Sequence, residues 1–438
     1  MPILRSKPLR TLRMGYALSA IIVASAASIV ACASLVGVQD VKLRRDAGSG
    51  ADVGDDEVDI VVDEDTGTTP PPMPGANILE VALGSQHTCA RKTDNTVKCW
   101  GDDSHSQTGT GGTAGDGGLV LAPTTVAIND ALHIAAGQYH TCVVRKSGKV
   151  SCWGENADGE LGNGDPAGAR SATPVDVVGL TDAVGIACGA NFSCALRTGG
   201  SVACWGNGLG GQLGNGTKQL QPTPGAVSML SDAISISAGE SHACAVKAGG
   251  TVVCWGDNVN GQLGLGDSME RTTPTVIPSL DSIAIVAAGA RSSCAAKKSG
   301  GVFCWGANEL GQLGSGAANG TPNPSPTAVS GVDAVALWAG RDHACAVRRG
   351  GAVACWGAGF LGQIGDGQPR AAATTPTPTP TAVSGIINAI GVVTGGSHSC
   401  SPTSTGTILC WGDNAHGEIG SGTALDQKFS PESVVGYP

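Results

Sequence analysis

The tripeptide Cys-Trp-Gly occurs seven times, with its tryptophan at Trp100, Trp153, Trp205, Trp255, Trp305, Trp356 and Trp411, at gaps of 53, 52, 50, 50, 51 and 55 residues. Units of this size bury an apolar face only against neighbouring copies, so the chain must stack or ring its repeats. Each copy divides into four short strands. Strand A alternates apolar residues and ends on glycine, as in Ile234-Ser235-Ile236-Ser237-Ala238-Gly239. Strand B carries His-x-Cys-Ala-Val and strand C carries Val-x-Cys-Trp-Gly. Strand D is expected to begin at a Pro-x-x-Val element, at Pro123, Pro174, Pro224, Pro274, Pro326, Pro380 and Pro431. A proline there offers no ladder donor and belongs on an outer edge. The 68 glycines cannot sit in helices, where each costs about 1 kcal/mol against alanine, and must serve turns. The expected fold is all-β: a seven-bladed β-propeller of four-stranded antiparallel blades over residues 78–438.

Between strands C and D lies a further element, nearly whole in Gly256-Asp257-Asn258-Val259-Asn260-Gly261-Gln262-Leu263-Gly264. Copies at 211–214 and 311–314 match it, those at 362–365 and 417–420 carry Ile for Leu, and Ser106-Gln107-Thr108-Gly109 is degenerate. With seven such units over about 361 residues, the chain resembles the RCC1-repeat family. The resemblance implies a propeller that serves as an exchange factor for a small GTPase, as a protein-binding platform, or as an inhibitor.

Fourteen of the 16 cysteines form seven pairs ten positions apart: Cys89 and Cys99, Cys142 and Cys152, Cys194 and Cys204, Cys244 and Cys254, Cys294 and Cys304, Cys345 and Cys355, Cys400 and Cys410. Each pair brackets one B–C hairpin. Six residues after the first cysteine stands Asn95, Gly148, Gly200, Gly250, Gly300, Gly351 or Gly406, residue types that accept a left-handed conformation in a three-residue bulged loop. Such a loop pairs 247 with 251 and brings Cys244 opposite Cys254 at a non-hydrogen-bonded site, where close Cα atoms suit a disulfide. Zinc and redox spacings are absent, so seven intrablade disulfides are expected, each contributing roughly 2.5 to 3 kcal/mol. Cys188 replaces the alanine of strand A and is expected to be an inert buried thiol.

His87, His140, His242, His343 and His398 occupy one position of the unit, with Phe192 and Ser292 in the other two copies. They lie in different blades and cannot converge on one metal ion; the resemblance implies a structural histidine bonded to neighbouring backbone. Asp257 and Asp413 open capped turns, since the EF-hand spacing is missing. Trp338, where most other copies carry Ala or Ser, is expected in the core. No nucleophile elbow, phosphate loop or zinc-protease motif is present, so neither an enzyme, a cofactor nor a metal is expected. What remains is surface. The A–B residues that vary between copies, Gln86, Tyr139, Asn191, Glu240, Arg291, Arg341, Asp342 and Ser397, are the expected partner-binding ring near the channel mouth.

The N-terminus carries Arg5, Lys7, Arg10 and Arg13 before a weakly apolar stretch that ends Ile29-Val30-Ala31-Cys32. This resembles the bacterial lipoprotein processing box, which implies a signal over 1–32, lipid on Cys32 and an outer-membrane or surface location. Residues 33–77 are acidic and close with Pro70, Pro71, Pro72 and Pro74, the composition of a disordered tether. Net charge is −10, against a nucleic-acid partner. The expectation is therefore a monomeric, exported protein-binding module held at the envelope only by its lipid. A guanine-nucleotide exchange factor is the intracellular alternative, and an envelope carbohydrate-active or lytic enzyme the catalytic one.

Overall fold

The computed structural model describes residues 41–42, 61–62, 78–112, 118–165, 168–370 and 375–437. The expected signal and Cys32 lie outside the described residues. Within the expected tether, Val41–Lys42 and Val61–Val62 pair antiparallel. Residues 78 onward form seven four-stranded antiparallel sheets in which strands A to D follow one another in sequence order. Blade 4 comprises Ala233–Ala238, His242–Lys247, Val252–Gly256 and Arg271–Val276. The described residues hold no helix.

The B–C hairpins have the expected geometry. Cys244 lies opposite Cys254, and the Lys247 amide donates to Thr251 O at 2.8 Å across a three-residue loop. Asn95, Gly148, Gly200, Gly250, Gly300, Gly351 and Gly406 all have positive φ. Seven cysteine pairs stand with Cα atoms 4.1 Å apart and sulfurs at bonding distance. Strand D differs from expectation. It starts before the marker proline, at Ser171 in blade 2 and Gln221 in blade 3, so Pro174 and Pro224 fall within the strand, where its register against strand C shifts. A bulge on the outermost strand tolerates the missing N–H as well as a strand start does.

The core lies between blades rather than within them. Trp305 of blade 5 is fully buried against the Cys244–Cys254 disulfide, Leu263 and Ile277 of blade 4. Its indole N–H donates to Gln262 O at 2.8 Å, so the ring is buried without an unpaired donor. All seven tryptophans make this bond to the preceding blade, including Trp100, which donates to Glu418 O at 2.8 Å and so joins blade 1 to blade 7. Gly264, at φ +72°, lets the indole approach: a Cβ there would stand 2.8 Å from Trp305 Nε1. The degenerate first copy performs the same task, with Trp153 donating to Gln107 O and Ser106 held at φ +63°.

A second ring closes at the inner strands. The residue after each strand-A glycine donates its N–H to the next blade, from Ser85 to Gln138 O at 3.3 Å around to Gly396, which returns to Gly84 O at 3.1 Å. Blades therefore pack so tightly that a Cβ on Gly239 would lie 2.1 Å from Gly289 O. In blade 7 the inner strand shrinks to Val393–Thr394, because Pro402 has no N–H to offer where Val246 pairs in blade 4. Trp338 corrects its expectation. It replaces small inner-strand residues where blades converge, and its side chain remains 48% exposed.

Candidate functional site

In an antiparallel A-B-C-D blade the A–B and C–D connections emerge on one face and the B–C and D–A connections on the other. On the A–B face the strand-A ends and the residues after them line a central cavity of about 200 Å³. Leu83, Ala136, Cys188 and Ala238 contribute to its wall, and Ser85, Gln138, Glu240 and Arg341 to its mouth. Cys188 is buried; its Sγ lies 3.7 Å from Ala135 O, and desolvation pushes the thiol up to about 12, so it stays protonated.

The eight ring residues do not share one environment. Glu240 and Arg341 are exposed at the mouth, whereas Gln86, Tyr139, Asn191, Arg291, Asp342 and Ser397 are half-buried. The half-buried side chains of Gln86, Tyr139 and Asn191 reach the C–D loop of the preceding blade. Tyr139 stacks on His105 with ring centroids 4.2 Å apart, Asn191 Nδ2 donates to Asp158 Oδ2 at 2.9 Å, and Gln86 Nε2 lies 3.1 Å from His416 Nδ1. Arg291 is ion-paired with Asp342 at 3.3 Å and Glu309 at 3.7 Å. Sequence reasoning missed the loop residues His105, Asp158 and His416, although each occupies the same place in the C–D element two positions before Gln or Glu. The exposed Leu209 and Val259 stand on the corresponding loops of blades 3 and 4.

Beneath this face run the histidines. His87 Nε2 lies 2.8 Å from Thr141 Oγ1 of the next blade, His140 pairs with Ser193, His242 with Ser293, His343 with Ser399 and His398 with Thr88. Each hydroxyl in turn donates to a main-chain oxygen of the C–D element, as Thr141 does to Gln107 O at 3.0 Å. The hydroxyl thus accepts from Nε2–H, which fixes the neutral tautomer. The role is structural, but the histidine's direct partner is a side chain of the next blade rather than backbone. Nδ1 in all five faces no protein acceptor, and burial lowers the pKa to about 4 in His87, His242 and His343 and about 3 in His140 and His398. His140, Cys142 and Cys188 come together, but Cys142 is bonded to Cys152 and has no thiolate to offer a metal.

The opposite face is locally neutralised. Arg145 pairs with Asp130 at 2.8 Å, Arg197 with Asp182 at 2.9 Å and Lys247 with Asp232 at 3.3 Å, each joining a hairpin to the D–A turn at the same place in the repeat, and Arg349, one residue further along its hairpin, pairs with Asp333 at 3.0 Å.

A profile described as the Regulator of chromosome condensation (RCC1) repeat matches residues 78–107, 132–160, 183–212, 233–262, 283–312 and 389–418. A second of the same description matches 147–196, 199–246, 249–296 and 299–347, and together they cover more than half the chain. The human E3 ubiquitin-protein ligase HERC2 is 28% identical over 150 residues, which is 33% of this chain and 3% of HERC2. Protein pim1 of Schizosaccharomyces pombe is 29% identical over 168 residues, 34% of this chain and 31% of pim1. The chain thus spans a third or less of these relatives. Among solved structures, human WBSCR16 superposes with TM-score 0.68 at 22% identity over 78% of this chain and 94% of that one. Yeast RCC1 (Prp20), in its complex with Kap60, gives TM-score 0.68 at 22% identity over 85% and 90%. At such identity the likeness is one of fold.

Proposed function

Because the chain belongs to the RCC1-repeat family, we propose that it is a protein-binding propeller, exported and lipid-anchored through Cys32, that presents its A–B face to a protein ligand at the cell envelope. The observation that carries this reading is the contrast between main chain and side chain at the channel mouth. Seven inter-blade hydrogen bonds hold the turns in one closed girdle, while the residues mounted on it, Ser85, Gln138, Ala190, Glu240, Ala290, Arg341 and Gly396, range from glycine and alanine through hydroxyl and amide to both charges. A rigid frame with varied side chains is what recognition of one partner requires. The opposite face favours the same choice, since its charges are largely satisfied within the repeat. Yeast Prp20, whose fold this chain shares, is described in complex with Kap60. An exchange factor would need a small GTPase in its own compartment, and the N-terminal signal argues against that.

The test uses the exported protein to capture a ligand from envelope and culture fractions. Tyr139→Ala, Glu240→Ala and Arg341→Ala together are expected to weaken capture by more than about tenfold, or about 1.4 kcal/mol. Arg291 is left out of this set because its ion pairs hold the face together. Lys146→Ala and Lys298→Ala on the hairpin face should leave capture intact, and the reverse pattern would overturn the face assignment. Fatty-acid labelling that is lost in Cys32→Ala checks the anchor independently.

A further inference from the structure

The C–D element carries glutamine at its buried position in five blades and glutamate in two, Glu160 and Glu418. The glutamines show what the position does. Gln262 Oε1 accepts the Asn260 amide at 2.8 Å, and its Nε2 donates to Asp257 Oδ2 at 2.8 Å. Gln107 does the same with His105 N and Asp102 Oδ2. In blade 2, Glu160 Oε2 accepts the Asp158 amide at 2.9 Å, but the residue standing where Asp257 stands is Glu155. A carboxyl group can replace the glutamine NH2 opposite an acid only while it holds a proton.

We propose that Glu160 is a proton-operated latch on the junction between blades 2 and 3. Glu155 Oε1 itself caps the Asn156 and Ala157 amides at 3.1 and 3.2 Å; protonated, Glu160 sits neutral beneath this loop, and ionised, it adds a buried negative charge beside Glu155 and Asp158 and loosens that junction. Much converges on this loop. Glu160 O receives both the Trp205 indole at 2.7 Å and the Ser193 hydroxyl at 3.1 Å, and Ser193 holds His140. Asp158 Oδ2 receives Asn191 and Asn207, which couples the latch to the A–B face.

Burial raises the Glu160 carboxyl to about 7; the amides of Glu160 and Asp158 oppose that rise, and the negative charges of Asp158 and Glu155 on its own loop add to it. From blade 1, His105 stands 4.0 Å from Glu155 Oε2. From blade 3, Cys188 stays protonated and Asn191 and Asn207 are neutral. Strand B of blade 2 contributes His140, which burial keeps neutral. Burial raises the Glu418 carboxyl as well, and Asp413 stands where Asp257 does, but His416 Nδ1 lies 3.2 Å from Glu418 Oε1 and opposes that rise, a partner that Glu160 lacks.

The experiment follows indole N–H exchange in the full chain between pH 5.5 and 8.5, as the ratio of Trp205 to Trp255, whose junction has glutamine. In the native protein the ratio is expected to rise at least tenfold with a midpoint near 7. Glu160→Gln should flatten it, and Gln262→Glu, which faces Asp257, should create the same pH dependence at Trp305. A ratio that does not change with pH, or one that changes equally in Glu160→Gln, overturns the latch. The readout involves no ligand, so its failure leaves the binding role untouched and failed capture leaves the latch untouched; only pH-dependent capture rests on both.

Discussion

Two adjacent junctions of the ring solve the same problem with different chemistry. Between blades 2 and 3, His140 bonds Ser193; between blades 3 and 4, Phe192 packs in one cluster with Ala243, where no hydroxyl exists. The junction between blades 5 and 6 is likewise without the bond, with Ser292 in the histidine position and Ala344 in the hydroxyl position of the next blade. Every histidine is matched by Ser or Thr in the following copy, and both non-histidine copies are followed by alanine. The unit of design is therefore the interface between two repeats, because a buried imidazole donor needs a partner and a phenylalanine needs none. The tryptophan-to-carbonyl bond, by contrast, is common to both kinds of junction.

That comparison is broken most severely by acid. The five buried histidines are neutral in the fold and titrate near 6.5 when unfolded. Their contribution is fully present above pH 6.5 and is lost as pH falls towards about 4 for His87, His242 and His343 and about 3 for His140 and His398, at roughly 3 to 5 kcal/mol per histidine. Denaturant titrations at a series of pH values should show this loss, and His140→Phe with Ser193→Ala, which copies the dry junction, should reduce it by about one histidine's share. An unchanged acid slope in the double variant would mean the histidines do not govern it.

Trp205→Ala and Trp255→Ala probe what the polar and dry junctions share. Each is expected to lose about 3 to 5 kcal/mol of unfolding free energy, with similar values at the two sites. A loss confined to one junction would show that the tryptophan contact is not the common element.

Ser293→Ala sharpens the distinction. It leaves the His242 donor buried and unpaired and should cost about 1 to 3 kcal/mol, most of which His242→Phe in the same chain should restore. If the second change adds to the first, the two positions are independent and the pairing argument fails. The smallest effect belongs to the hairpin face, where Arg349→Ala removes a pair with both side chains more than half exposed and should shift stability by under about 0.5 kcal/mol.

The parts of the fold that were legible beforehand are those decided within one repeat. Ten residues between cysteines, with Gly or Asn in the loop, specify the hairpin register and hence the pairing of Cys244 with Cys254. The start of strand D was misplaced because a proline marks either an edge or a bulge, and only pairing with strand C distinguishes them. The histidine partners were missed although a signal existed, since it requires comparing His in one copy with Ser or Thr one residue later in the next. On the recognition face, the varied residues were found, but their environments were not. Arg291 and Glu240 look alike as variable charged positions, yet the first is locked between Glu309 and Asp342 and the second is exposed.

The repeat, its hairpins, its disulfide pairs and the number of blades follow from the amino-acid order alone, because these depend on local spacing and on residue types with few permitted conformations. The tertiary structure decided which carbonyl receives each indole, which hydroxyl receives each imidazole, and how blade 7 meets blade 1. It also decided that Trp338 stays half-exposed and that Glu160 lies buried among acids. Those outcomes belong to contacts between residues about fifty positions apart, brought together only when the seven blades close on one another, and no local preference in either partner specifies them.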